Sequence, residues 1–226
     1  MKYYRFIVKA FFFLLIHNIS SAQPIQINSY KNYDTKKGLV SLNIRKIIQD
    51  KYGFIWCATQ DGLSRFDGKS FVNFSANTVD GRFLLKGADV FDLLIDETGD
   101  VLWALTTYGG LNRISISKCQ VTERYNLQIA SNTPVDYWYK CMKLDNGFIY
   151  VGTDQGVLLK FSTQQKKVIA SYSLAETAKI KGPIEELLVN KNQVWLFSSA
   201  KGIVVIDTGL LKQTAFIDSE IGRAHV

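Results

Sequence analysis

The sequence predicts an all-β fold, a β-propeller of about four successive blades, on three observations. An aromatic residue recurs at Trp56, Trp103, Tyr150 and Trp195, at spacings of 47, 47 and 45 residues. A glycine keeps step with it at Gly62, Gly110, Gly156 and Gly202, at spacings of 48, 46 and 46. Short alternating apolar runs bounded by Asp, Asn and Gly lie between these markers, the pattern of strands joined by tight turns. A repeat of this length is one supersecondary unit. It cannot bury both sheet faces alone, but neighbours packed face to face around a channel can.

In chain order, the first element is an export signal over residues 1–22. Lys2, Arg5 and Lys9 flank the apolar stretches Phe6 to Val8 and Ala10 to Ile16, and Ser20-Ser21-Ala22 precedes Gln23. The apolar run is shorter than the roughly 20 residues of a membrane span and ends in a small-x-small cleavage pattern, so cleavage is expected after Ala22. Gln23 in place of Cys gives no sign of a lipid anchor at the new terminus. Residues 23–220 then form the partial propeller. Tyr30 to Tyr33 is a candidate outer strand pairing with the last blade of a closed ring, and Gly38-Leu39 leads into the first blade.

The blades are expected near residues 40–74, 88–125, 136–172 and 183–217. The first shows the grammar: Ile44 to Gln49, a turn containing Asp50 and Gly53, Phe54 to Thr59, a turn ending in Gly62, Leu63 to Phe66, and Asp67-Gly68 before Phe71 to Phe74. Asp-Gly between apolar alternations is a hairpin signal, and the glycines stand where turns need positive φ. Because the aromatic recurs in every unit, it reads as core. The last six residues, Ile221-Gly222-Arg223-Ala224-His225-Val226, resemble one reading frame of a sequencing-library adapter and are set aside.

The formal charge of +7 shrinks once the two ends are removed. Losing Lys2, Arg5, Lys9 and Arg223 leaves 23 basic against 20 acidic residues and no basic run, so no nucleic-acid partner is expected. Both histidines, His17 and His225, lie in the excluded ends. The mature chain therefore lacks His-based nucleophile activation and His-ligated metal sites, and no metal or cofactor is expected. Cys57, Cys119 and Cys141 match no metal-knuckle spacing and read as small buried strand residues, at least one of them unpaired because the count is odd.

The run Gly38-Leu39-Val40-Ser41-Leu42-Asn43-Ile44, then Gln49-Asp50-Lys51-Tyr52-Gly53-Phe54-Ile55-Trp56 and Thr59-Gln60-Asp61-Gly62-Leu63-Ser64-Arg65-Phe66-Asp67-Gly68, resembles the regulator-propeller repeat. That repeat builds the periplasmic sensor of hybrid two-component systems in glycan-degrading bacteria. The likeness is specific over residues 38–74, moderate in the second and third units and loose in the fourth. Cys57, Tyr150 for Trp, and a fourth unit without the Asp-x-x-Gly turn depart from the pattern. The resemblance implies an N-terminal piece of a larger receptor anchored in the inner membrane. Its parts would be a pair of seven-bladed propellers, an immunoglobulin-like domain, a membrane helix, a histidine kinase, a receiver and a DNA-binding domain. It also implies a periplasmic location, an oligosaccharide ligand, the remaining blades of the same parent chain as partners, and a homodimeric full-length receptor.

No catalytic residue is expected. Glu185 and Glu186 are adjacent and would point to opposite faces of a strand, while Asp61, Asp67 and Asp154 sit in turns where Asp bonds nearby backbone. A ligand is expected on the face built by the long loops between blades, at Ser75 to Asp89, Asn126 to Asp136 and Leu174 to Pro183. Tyr137, Trp138 and Tyr139 are the candidate stacking residues, with Arg82 and Asp89 as loop polar groups, Lys86 beside them, and Asp136 or Lys140 placed to hold hydroxyls. Two other readings remain: an exported propeller acting as a protein-interaction scaffold, and a propeller lyase or lactonase, disfavoured by the missing His and carboxylate cluster.

Overall fold

The computed structural model describes residues 30–96, 100–127, 138–200 and 202–218. The export signal at 1–22 and the tail at 221–226 lie outside them. Contacts divide the chain into Met1–Asn32 and Tyr33–Val226, and every sheet belongs to the second unit.

The described residues fold as four antiparallel sheets of four strands, each in sequential order. The first holds β1 (Ile44–Gln49), β2 (Ile55–Thr59), β3 (Gly62–Phe66) and β4 (Phe71–Phe74). The second holds β5 (Val90–Ile95), β6 (Val101–Thr106), β7 (Gly110–Ser115) and β8 (Gln120–Tyr125). The third holds β9 (Tyr139–Asp145), β10 (Phe148–Thr153), β11 (Val157–Ser162) and β12 (Lys167–Ser173), followed by the short helix α1 (Leu174–Thr177). The fourth holds β13 (Glu186–Asn190), β14 (Gln193–Ser198), β15 (Gly202–Asp207) and β16 (Gln213–Asp218). The first strands β1, β5, β9 and β13 neighbour one another in turn, which makes the sheets radial blades of a β-propeller with these strands innermost. No helix among the described residues is long and apolar enough to cross a membrane.

The period-two alternation of each second strand feeds two cores. In the first blade Trp56 and Ala58 face forward onto Leu93, Leu102 and Ile114 of the second. In the second, Trp103 and Leu105 face forward onto Ile149, Val151 and Phe161 of the third. Tyr150 likewise faces Leu187, Val194 and Leu196 of the fourth. The recurring aromatic is thus the forward-facing wedge of each blade. Trp56, Trp103 and Tyr150 are buried, whereas Trp195 is half-buried, because no further blade among the described residues covers its face. That face also shows Leu188, 50% exposed, and Ile217.

Register repeats with burial. Trp56 pairs across the sheet with Arg65, Trp103 with Arg113 and Tyr150 with Lys160, but Trp195 pairs with Val205. Lys160 shows what the cation does: its Nζ lies 4.3 Å from the Phe148 ring centre and donates to the Thr208 carbonyl of the next blade at 2.6 Å. The recurring glycine has an equally local cause. At Gly62 and Gly110 φ is +148° and +99°, and an added Cβ would lie 2.3 Å from the Phe74 carbonyl oxygen and 2.2 Å from that of Tyr125. The second turn of the first and second blades therefore presses on the end of the fourth strand, and only hydrogen fits there; in the third blade an added Cβ at Gly156 would instead lie 2.5 Å from the Gly182 carbonyl oxygen.

Tyr30 to Tyr33 does not form the expected outer strand; residues 30–34 carry no strand. Asp34 instead caps a one-turn 3₁₀ segment at Thr35–Lys37, accepting the Lys37 N–H at 3.1 Å, and Gly38 with φ +102° ends it. The Tyr33 ring packs edge-on against Phe66 at 4.7 Å, and Asn73 Nδ2 donates to the Gly38 carbonyl at 2.8 Å. Tyr33 and Gly38 thus pack on the rear face of the first blade.

Candidate ligand-binding face

The loops that join blades and the turns between second and third strands open on one end of the channel, where the innermost strands begin. Backbone bonds fasten that rim. Tyr139 N–H donates to the Thr107 carbonyl at 3.1 Å, tying the third blade to the second, and Ile184 N–H donates to Thr153 at 2.9 Å, tying the fourth to the third.

Ion pairs continue the stitching. Arg45 at the start of β1 bonds Asp89 just before β5, with Nη2 to Oδ2 at 3.2 Å. Lys140 on β9 bonds Glu185 just before β13 at 2.5 Å. One step down the channel Asp92 is buried on β5, bonded to Lys46 of the first blade and accepting the Met142 N–H of the third at 2.8 Å. Lys143 meets Glu186 at 3.0 Å. Glu185 and Glu186 thus each hold a lysine of the preceding blade, and neither is a free acid–base group.

Of the described residues expected at the site, Trp138 is the aromatic presented to solvent on this rim, 53% exposed. Its backbone is pinned from both sides by Asp154, whose Oδ1 accepts the Trp138 N–H at 3.0 Å and whose own N–H donates to the Trp138 carbonyl at 2.9 Å. Tyr139 is a correction. It points inward, buried in the core between second and third blades, and its hydroxyl donates to the Leu127 carbonyl at 3.3 Å. Strand alternation makes one of two adjacent residues inward-facing, and Tyr139 is that one. Tyr137 and Asp136 lie outside the described residues.

Asp89 stands at the channel rim, engaged with Arg45, and its carbonyl accepts the Thr107 N–H at 2.9 Å. Arg82 is not brought to the same place. Its carbonyl accepts from Val121 of the outermost strand β8 at 2.7 Å, and its guanidinium pairs with Asp80 at 2.6 Å. That bond holds the Asp80 carboxyl below the usual carboxylate range. The structure therefore separates Arg82 from Asp89 by the width of a blade. Asp67 serves its own turn, accepting the Lys69 and Ser70 N–H groups at 2.8 and 2.7 Å, which lower its pKa.

Sequence reading missed Tyr108, 64% exposed, whose ring lies 5.6 Å from that of Trp138 at 76°. The signal was present: the second turn of the second blade, Thr107-Tyr108-Gly109, is one residue longer than Gln60-Asp61 or Asp154-Gln155. At the opposite end of the channel lies a cleft of about 660 Å³ between second and third blades, bordered by Lys46, Asp96, Lys143 and Asp145. No group of three His, Cys, Asp or Glu residues among the described ones is placed to hold a metal ion. Cys57 and Cys141 are buried, Cys119 is half-buried, and all are unpaired thiols. Burial pushes the Cys141 thiol well above its ordinary pKa and raises that of Cys57.

No protein-family profile and no curated protein matches the chain. Solved structures do. The extracellular domain of a hybrid two-component system of B. thetaiotaomicron superposes with a TM-score of 0.68 at 16% identity, over 83% of this chain and 26% of that one. The extracellular domain of a one-component system of the same organism gives 0.65 at 19% identity, over 77% and 25%. The computationally designed Ika4 protein gives 0.54 at 11% identity, over 74% and 91%. The likeness is one of fold. This chain spans about a quarter of the length of the two sensor-system domains.

Proposed function

We propose that the chain is the ligand-sensing propeller of an exported receptor, reading a glycan-derived oligosaccharide in the periplasm and passing the event to a kinase elsewhere in the same polypeptide. The observation that carries this is Trp138, a rigidly held, solvent-facing aromatic at the channel rim, outside the repeat that explains every other tryptophan. Aromatic faces stack on the C–H faces of sugars, and paired polar groups beside them orient hydroxyls. The solved extracellular domains of two-component and one-component systems support the reading. So does the regulator-propeller pattern of residues 38–68.

On this reading the open face of the fourth blade, with Leu188, Trp195 and Ile217, receives a further blade of a seven-bladed ring. The receptor acts as a homodimer. The propeller itself does no chemistry: Glu185 and Glu186 are held in ion pairs, Asp67 serves its own turn, and the mature part has no histidine. Sequencing the parent gene beyond codon 218 tests the receptor reading. An in-frame histidine kinase after further blades is the expected result, and a stop codon directly after the propeller would favour an interaction scaffold and overturn it.

A further inference from the structure

The turn that carries Tyr108, like the backbone that carries Trp138, is tied by hydrogen bonds on both sides. Thr107 N–H donates to the Asp89 carbonyl at 2.9 Å, and its carbonyl accepts from Tyr139 at 3.1 Å. Gly109 lies against the loop entering the second blade so closely that a Cβ would fall 1.6 Å from the Lys86 carbonyl oxygen. The extra residue of this turn is thereby forced outward. The other second turns offer only polar or small residues at the same height, Gln60-Asp61, Asp154-Gln155 and Ser199-Ala200 among the described residues.

At 76° and 5.6 Å the Tyr108 and Trp138 rings meet as two walls of a corner. With 64% and 53% of their surfaces open, both walls reach solvent. Each ring packs against the other, which reduces the rotamer freedom to be lost on binding. A pyranose presents C–H groups on its face and along its edge, and an aromatic corner can contact both at once.

We propose that Tyr108 is the second wall of the sugar site: together with Trp138 it takes a single pyranose unit of the oligosaccharide. This rests on the reading of the rim as a glycan site. The phenol ring is the contact, and its hydroxyl is dispensable.

The test is fluorine NMR on the chain labelled with 5-fluorotryptophan, with the Trp138 resonance identified by its loss in Trp138→Phe. The probes are cellohexaose, xylohexaose, mannohexaose, maltohexaose, laminarihexaose and a chondroitin hexasaccharide. The expected result is a saturable shift of the Trp138 resonance with at least one probe, an affinity about tenfold weaker in Tyr108→Ala, and one near wild type in Tyr108→Phe. Unmoved Trp56 and Trp103 resonances in Tyr108→Ala show that the core is intact. Wild-type affinity in Tyr108→Ala, with binding lost in Trp138→Ala as read by calorimetry, overturns the corner and leaves the glycan reading standing. No shift of Trp138 with any probe overturns both.

Discussion

The buried carboxylate of Asp92 accepts the Met142 N–H at 2.8 Å, joining the innermost strands of the second and third blades. Its other oxygen bonds Lys46 of the first blade, so one side chain spans three blades. Removing it orphans a buried donor and a lysine together. Asp92→Ala is expected to cost about 2–3 kcal/mol and Asp92→Asn less, because the amide oxygen still accepts from Met142. Urea denaturation followed by far-UV circular dichroism checks both, and an unchanged midpoint in Asp92→Ala would show that the blades do not depend on this bond.

The recurring aromatics are equivalent in register but not in burial. Trp56 is wholly enclosed, and its Nε1 donates to Asp50 Oδ2 at 2.8 Å, whereas Trp195 is half-buried and its Nε1 has no partner among the described residues. Trp56→Ala should therefore cost about 3–5 kcal/mol and Trp195→Ala roughly half of that. Equal losses in denaturant midpoint would mean that the forward face of the fourth blade is covered in solution.

Glu123 of the second blade bonds Lys166 of the third at 2.6 Å and takes the Tyr125 hydroxyl. The Lys166 bond is the larger cause that holds its pKa below the ordinary value. A depressed carboxylate contributes stability above its unfolded pKa, about 4.3, and loses it as pH falls through the folded value. Thermal melts from pH 7 to pH 3 should show Glu123→Gln less stable than wild type at neutral pH and the two converging at the acid end. A constant gap across the range would contradict the ion-pair account.

Cys57 and Cys141 are buried with raised thiol pKa values, and Cys119 is half-buried in the turn between β7 and β8. Thiolate is the reactive form. Native alkylation at pH 8 should place a single early adduct on Cys119 by peptide mass mapping, and early labelling of Cys141 would show that the interface of third and fourth blades opens.

The blades were legible because each repeats the forward aromatic, the turn glycine and the alternating core, with the glycine set against the fourth strand in the first two. Trp195 fits that pattern in sequence, yet its exposure was not legible, since burial there depends on a neighbour that no local signal describes. The candidate site was half legible. Tyr137, Trp138 and Tyr139 stood out as a cluster, but alternation sends Tyr139 inward to Leu127 and leaves Trp138 on the surface. Tyr108 went unread because its partner is 30 residues away and only the length of its turn marked it. Arg82 and Asp89 share a loop in sequence, and the loop crosses the whole blade radius between them.

Calorimetric titration of the wild-type chain and Trp138→Ala with the same oligosaccharide panel, with the sugar recovered and sized afterwards, tests the central claim most directly. The account predicts saturable binding of at least one sugar by wild type, affinity weakened about tenfold in Trp138→Ala, and every oligosaccharide returned at its original length. Equal affinity in both proteins would remove Trp138 from the site, and a shortened sugar would make this propeller an enzyme and contradict the sensor reading.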